Sequence, residues 1–373
     1  MSGVVVRRAS YRYEDLRSRF FEIMDALDGG ALIGPGRDVL IKPNLLSPAK
    51  PDQAVLTHPL VVRAAAEYVL QRGGRPRVGD SPGVGSCRRV VRESGIAGAL
   101  SDLDVEFCEF TRSVKADVGE PFGRIDLAAE ALEAPVMINL PKLKTHAQMG
   151  LTLGVKNLFG CVVGLRKAQW HLRAGIDRDL FARLLVQIYR CINPAFTVID
   201  GILAMEGEGP GRRGVPRELG LLLGSRDALA ADRTVCRILG QSPERLPVPK
   251  VAGQMGLCGG ELDIDCEGPL PAVSGFRLPA LTRLTYGPEL LQGFIRRHLL
   301  QRPVCDAPLC TQCGKCWEMC PAGAIKPLEK TLRFDYDRCI RCYCCVEVCP
   351  QGALHTAESL AGRFVRRFVI GDA

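Results

Sequence analysis

The chain predicts an α/β unit, a mostly parallel sheet with helices on both faces, followed by a small cysteine-rich α+β unit at the C-terminal end. Three observations predict this. Residues 1–270 alternate segments of strand and helix periodicity. Strands separated by helices need right-handed crossovers, which lay them parallel and cover the sheet on both sides. From Cys310 to Pro350, the spacing of cysteines replaces hydrophobic periodicity as the organising pattern.

Val4–Val6 reads as the first strand. Tyr13–Leu27 has helical apolar spacing at Leu16, Phe20, Ile23, Met24 and Leu27, and stops at Gly29-Gly30. Asp38–Lys42 is a strand running into Pro43-Asn44. A helix over His58–Leu70, capped by Thr57 with Pro59 in its first turn, closes at Gly73-Gly74. Arg77–Asp80 is a short strand, followed by the glycine-rich stretch Ser81–Ser86 and a helix through Leu100. Val105–Phe110, Val136–Leu140, Thr197–Ile202 and Leu219–Leu223 complete the strands, with helices at Leu180–Cys191 and Asp227–Leu239. Residues 271–304 form a connector, Pro- and Gly-rich to about Leu284, with a helix over Pro288–Leu300. The cysteine-rich unit spans 305–358. Residues 359–373, with Arg363, Arg366 and Arg367, make a basic tail.

The 373 residues allow more than one domain. The formal charge of +8 is spread along the chain, without the clustered stripe or module of a nucleic-acid binder. No apolar run approaches a membrane span. Seventeen cysteines in a chain beginning Met1-Ser-Gly-Val, without a secretory signal pattern, point to a reducing cytoplasmic location.

The C-terminal cysteines fall in two runs, Cys310-x2-Cys313-x2-Cys316-x3-Cys320-Pro321 and Cys339-x2-Cys342-x2-Cys345-x3-Cys349-Pro350. This is the spacing by which thiolates hold [4Fe–4S] cubes, the fourth cysteine of each run serving the other cluster. Two [4Fe–4S] clusters are expected, one on Cys310, Cys313, Cys316 and Cys349, the other on Cys339, Cys342, Cys345 and Cys320. Cys305 and Cys344 are off-register. Zinc would take four ligands per ion, usually as two separated pairs, and fits this pattern poorly.

Active residues of a parallel sheet sit just past the strand C-termini, which selects Lys42, Asn44, Asp80, Ser81, 141–146 and 200–208. The densest chemistry is Lys142, Lys144, His146, Lys156, Asn157, Lys167 and His171, in a stretch with no acid between Glu133 and Asp177. Lysines alternating with Gly, Leu, Val and Phe read as an anion site rather than a solvated loop, with His146 or His171 handling protons. Lys42, Asn44, Asp80, Ser81, Asn157, Asp200 and Glu206 are expected to contact the bound substrate, with Asp200 and Glu206 on a glycine-rich acidic loop. Asp227 and Asp232 read as helix-start capping residues.

Lys42-Pro-Asn44, Thr57-His-Pro59, Gly79-Asp80-Ser81-Pro82-Gly83, Pro141-Lys-Leu-Lys-Thr-His146, Gly154-Val-Lys-Asn-Leu-Phe-Gly160 and Asp200-Gly201-Ile-Leu-Ala-Met-Glu206-Gly-Glu-Gly-Pro210 occur in this order. With them the chain resembles members of the domain-of-unknown-function family 362, here joined to a bacterial-type two-cluster ferredoxin domain. The resemblance implies the two-part architecture and iron–sulfur binding, not a substrate. The expected function is electron transfer through the clusters to or from a protein partner or a small anionic substrate, as in a ferredoxin-linked oxidoreductase. Two alternatives stand beside it: a redox partner or assembly accessory without catalysis, and a non-redox α/β enzyme or binding protein with structural clusters.

Overall fold

The computed structural model describes residues 3–164, 166–258, 262–279, 281 and 301–358. The expected helix Pro288–Leu300 and the basic tail lie outside them.

The strands of the α/β unit are β1 (Gly3–Arg8), β2 (Asp38–Pro43), β3 (Arg75–Asp80), β4 (Glu106–Glu109), β5 (Ser113–Asp117), β6 (Arg124–Ala128), β7 (Val136–Leu140), β8 (Lys142–His146), β9 (Gly150–Thr152), β10 (Phe196–Gly207), β11 (Gly214–Ser225) and β12 (Asp263–Cys266). Ten of these form one sheet, ordered β12-β1-β11-β10-β7-β2-β3-β4, with β8 joined to β10 and β9 to β8. The pairs from β10 through β7, β2 and β3 to β4 are parallel; β11 runs against both its neighbours. The sheet is therefore mostly parallel, as its alternation with helices predicts. One face buries Leu16, Phe20, Ile23 and Met24 of the helix Tyr13–Ala26 with the helix Pro59–Gln71. The other buries Phe181, Leu184, Leu185 and Ile188 of the helix Arg178–Ile192.

Two local departures shape the region that follows. The expected acidic loop after Thr197–Ile202 is instead strand. β10 and β11 are twelve residues each and pair almost throughout, with a register shift between Gly201 and Leu203. The side-chain-free Gly214 lets Met205 lie where a Cβ would stand, so the hairpin closes over a buried methionine. Pro141, which has no N–H, separates β7 from β8. Its carbonyl accepts from Asp200 N at 2.9 Å, so β8 continues along β10 beyond the break.

In the cysteine-rich unit, β13 (Arg302–Cys305) pairs with β16 (Leu354–Ala357) and β14 (Ile325–Leu328) with β15 (Thr331–Phe334), all antiparallel. Short helices Lys315–Glu318 and Cys344–Glu347 lie one inside each cysteine run. The units touch. Ala147 packs into the core of Tyr343, Val346 and Leu354, and Arg213 donates to Gly352 O at 3.2 Å. The start of the expected connector is packed down too, with Phe276 buried in the α/β core beside Leu278 and Leu281.

Lys142 and Asp200 form a fully buried ion pair at 2.8 Å, with Tyr11 Oη donating to the other carboxylate oxygen at 2.7 Å and His58 N donating at 2.9 Å. Removing one partner of such a pair strands a buried charge, which costs about 3–5 kcal/mol. Asp200→Ala should lower the unfolding free energy from urea titration by that order, while Lys142→Met with Asp200→Leu should recover most of it. A loss under about 1 kcal/mol from Asp200→Ala would show that water reaches Lys142.

Candidate functional site

The basic constellation converges, and most of its members are buried. Lys42, next to last in β2, meets Asp80 at the end of β3, Nζ to Oδ1 2.9 Å. Asp80 also accepts from Ser81 N at 2.8 Å and Leu45 N at 3.0 Å. Gly160 lies against this pair; a Cβ there would stand 2.3 Å from Asp80 Oδ1 and 2.6 Å from Lys42 Nζ, so only glycine allows the approach. Lys167 donates to Ser81 Oγ and Ser81 O, both at 2.9 Å. Lys144 donates to Val55 O at 2.6 Å. Lys156 forms no hydrogen bond or ion pair among the described residues, and its ammonium lies 5.7 Å from the Phe159 ring centre.

These groups, except Lys42, which lies behind Asp80 and does not reach the space, line a cleft of about 100 Å³ whose far wall is the cysteine-rich unit. Asn44, Asp80, Ser81, Lys144, Lys156 and His171 face Met319, Cys344, Glu347 and Val348 across it. His146 Nε2 lies 2.7 Å from Glu347 Oε1, off the line of a well-aligned hydrogen bond. His146 Nδ1 accepts from Gln148 N and Met149 N at 3.1 and 3.2 Å, which leaves the ring proton on Nε2, toward the carboxylate. Besides the His146–Glu347 pair, three buried polar atoms of the cleft residues have no hydrogen-bond partner among the described residues: Asn44 Oδ1, Thr152 Oγ1 and His171 Nδ1. Buried polar groups are normally satisfied, so these are places for a ligand's donors and acceptors.

Burial and mutual repulsion decide the charge states. Burial first, with Lys156 adding to it, pushes His146 down to about 4 and His171 to about 3, so both rings are neutral at pH 7. The expected role of these histidines as proton donors therefore rests on neutral imidazole, not imidazolium. Burial pushes Lys144 down to about 7 and Lys167 to about 8, where an ammonium exchanges its proton near neutrality. For Glu347 burial pulls upward but is outweighed by His146 and Lys156, which hold it ionised, down at about 2.

The thiols of the first expected set come together, and those of the second are neighbours. Cys310, Cys313, Cys316 and Cys349 line one small cavity. Cys320 has Cys342 and Cys339 as electrostatic neighbours, and Cys345 has Cys342, Cys339 and Cys320. Ala324 N donates to Cys320 Sγ at 3.3 Å, the kind of N–H···S contact that surrounds cluster thiolates. None of the seventeen cysteines is in a disulfide. The cysteine sets and the void between the first four fit cubane clusters.

Other expected contacts fall elsewhere. Glu206 sits on β10 paired with Arg217 and Arg277, both at 2.8 Å, well apart from the lining of the cleft. It lies in a strand, and flanking arginines take its charge. Lys142 and Asp200 neutralise one another behind the cleft rather than in it. Asn157 reaches it, bonded through Nδ2 to Asn139 Oδ1 at 2.8 Å. Asp227 caps its helix at Leu229 N, but Asp232 accepts from Gly154 N at 2.7 Å and Val155 N at 3.2 Å, holding the turn that presents Lys156. Glu347 and Thr152 were missed. Glu347 lies inside the second cysteine run, where spacing alone marks only thiols.

The cysteine runs mark an iron–sulfur protein, and residues 309–353 match the 4Fe-4S dicluster domain. Residues 39–237 match the domain of unknown function DUF362, and the chain belongs to that family. Over 303 residues it is 38% identical to the thylakoid-associated protein sll1697 of Synechocystis sp. (strain ATCC 27184 / PCC 6803 / Kazusa), covering 80% of this chain and 94% of that protein. A solved lactate racemase apoprotein from Thermoanaerobacterium thermosaccharolyticum is 13% identical with a TM-score of 0.40, covering 60% of this chain and 54% of that one. Among the described residues no helix is long and apolar enough to cross a membrane.

If the cleft takes anions, inorganic phosphate should raise the melting temperature through a stabilisation set by binding to the folded state only, about 2.7 kcal/mol of unfolding free energy at one hundred times Kd. Lys144 gains its charge as pH falls through about 7, so the gain should be larger at pH 6 than at pH 8.5. Lys144→Met should flatten this difference and Lys156→Ala should lower the gain at both. A gain indifferent to pH and to both substitutions would place the anion elsewhere.

Proposed function

We propose that this chain is a redox protein that exchanges electrons with a small anionic substrate held between its two units. Cys310, Cys313, Cys316 and Cys349 hold one [4Fe–4S] cluster, and Cys339, Cys342, Cys345 and Cys320 hold the other. The clusters supply one-electron oxidation and reduction. One observation carries the reading: the cleft lined by Lys144, Lys156 and His171 is closed by Met319, Cys344 and Glu347, which flank ligands of the second set.

Lys156, lacking an internal partner, takes the anionic group. Lys144 supports it and, titrating near neutrality, gives or takes the proton that accompanies reduction. Thr152 Oγ1 and His171 Nδ1 hold the rest of the ligand through neutral hydrogen bonds. Lys42 acts one step back, fixing Asp80, while Lys167 fixes Ser81 from the cleft wall. Glu347 and His146 tie the cluster loop to β8, so that the two walls keep their spacing. This is the chemistry of a ferredoxin-linked oxidoreductase. The supply of electrons implies an external one-electron carrier protein, and the reduced cysteines suit a cytoplasmic setting.

Iron content tests the ligand sets. Anaerobically reconstituted protein should carry about eight irons, four per cubane. Cys316→Ser should lower that loading, and Cys344→Ser and Cys305→Ser should leave it intact. Loading near four in the wild type, or equal loss from Cys344→Ser, would contradict the assignment.

A further inference from the structure

Three asparagines lead from the sheet to the cleft, and their direction is fixed at the inner end. The carbonyl of Gly154 can only accept, so Asn139 turns its Nδ2 toward it at 3.0 Å, with Thr197 Oγ1 3.3 Å away. Asn139 Oδ1 is thereby left to accept, which it does from Asn157 Nδ2 at 2.8 Å. Asn157 Oδ1 in turn accepts from Asn44 Nδ2 at 3.0 Å. Each amide orients the next, and reversing one would set like atoms face to face. The backbone holds the outer end too: Asn44 N donates to Thr57 Oγ1 at 2.8 Å, and Thr57 N donates to Asn44 O at 3.3 Å. The relay ends at Asn44 Oδ1, a buried acceptor without a hydrogen-bond partner among the described residues, on a residue that lines the cleft.

Buried acceptors are normally met, and the surroundings decide what can meet this one. Lys144, Lys156 and Lys167 line the same space and disfavour a cationic donor. Of the two carboxylates there, Asp80 is taken by Lys42 at 2.9 Å, and Glu347 lies 2.7 Å from His146 and feels Lys156 as well. Neither is left to hold a ligand ammonium. What remains is a neutral O–H or N–H. Leu45, Leu46, Phe159, Met319 and Val348 complete the wall, which suits a short apolar body between the ligand's polar groups.

We propose that the cleft takes a small organic anion that also carries a neutral hydrogen-bond donor, a hydroxyl or an amide N–H, and that Asn44 Oδ1 reads that donor. This rests on the reading of the cleft as an anion site and narrows its substrate class. Lys156 takes the anionic group and Asn44 the donor. Asn139 and Asn157 are positioning residues, which keep the oxygen of Asn44 presented rather than its NH2. An analogue with a carbonyl in the donor's place sets two acceptors together. One with only hydrogen there leaves Asn44 Oδ1 unmet. A site built to hydrogen-bond a ligand's O–H or N–H rejects such analogues steeply.

The test is calorimetric titration of anaerobically reconstituted full-length protein with butanoate, 2-hydroxybutanoate, 2-oxobutanoate and 3-amino-3-oxopropanoate. Wild type should bind the hydroxy or the amide acid at least about tenfold tighter than butanoate, and 2-oxobutanoate no tighter than butanoate. Which donor acid leads assigns the O–H or the N–H. Asn44→Ala should erase that ranking and leave the Kd of butanoate in place. Asn157→Leu should free Asn44 to turn its Nδ2 into the cleft and move the preference to 2-oxobutanoate. A merely structural loss would weaken all four acids together without reordering them. Donor acids that bind no tighter than butanoate in the wild type would overturn the proposal, and that comparison needs no variant to fold. A ranking that survives Asn44→Ala would overturn it too. Binding of none of the four acids, nor of inorganic phosphate, would overturn the anion-site reading itself, whereas binding of all without rank would overturn the role of Asn44 alone.

Discussion

Several ammonium groups gathered at the ends of parallel strands repel one another, and burial makes each harder to charge. The site depends on how that cost is met. Lys142 is matched by Asp200 and Lys42 by Asp80 inside the α/β unit. Lys144 and Lys167 lean on Val55 O and on Ser81, and their charged forms weaken accordingly. The remaining compensation comes from Glu347, which reaches in from the cysteine-rich unit and feels both His146 and Lys156. The cleft is therefore electrostatically complete only when both units are in place.

Much of this was legible in the sequence because strong local rules governed it. Alternating periods gave the parallel sheet, and the rule that activity gathers at strand C-termini picked Lys42, Asp80 and the 141–146 segment. The acid-free stretch from Glu133 to Asp177 pointed to the lysines. What was not legible depended on long-range pairing. Glu206 looked like a loop carboxylate because glycines surround it, yet the β10–β11 hairpin needs those glycines for packing, and Arg217 and Arg277 arrive from elsewhere in the chain. Asp232 looked like a cap for its own helix; it holds the Gly154 turn seventy-eight residues away. Glu347 was hidden by its neighbours, since a cysteine run draws the eye to its thiols.

Fusion of the two units has a structural reason in this account. An anion cleft walled on one side by cluster-bearing loops keeps the distance between ligand and redox centre fixed by a packed core rather than by chance encounter. Ala147 in the Tyr343–Val346 core, Arg213 on Gly352 and the His146–Glu347 contact all serve that spacing.

The central claim is that cleft and clusters form one site, and the most direct measurement is the electron paramagnetic resonance spectrum of the anaerobically reduced protein with and without inorganic phosphate. An anion placed beside Cys344 and Glu347 should alter the signal of one centre and lower its potential, since added negative charge opposes reduction, and Lys156→Ala should abolish the effect. Phosphate that binds, as judged by the melting temperature, while leaving both cluster signals and both potentials unchanged would contradict the account.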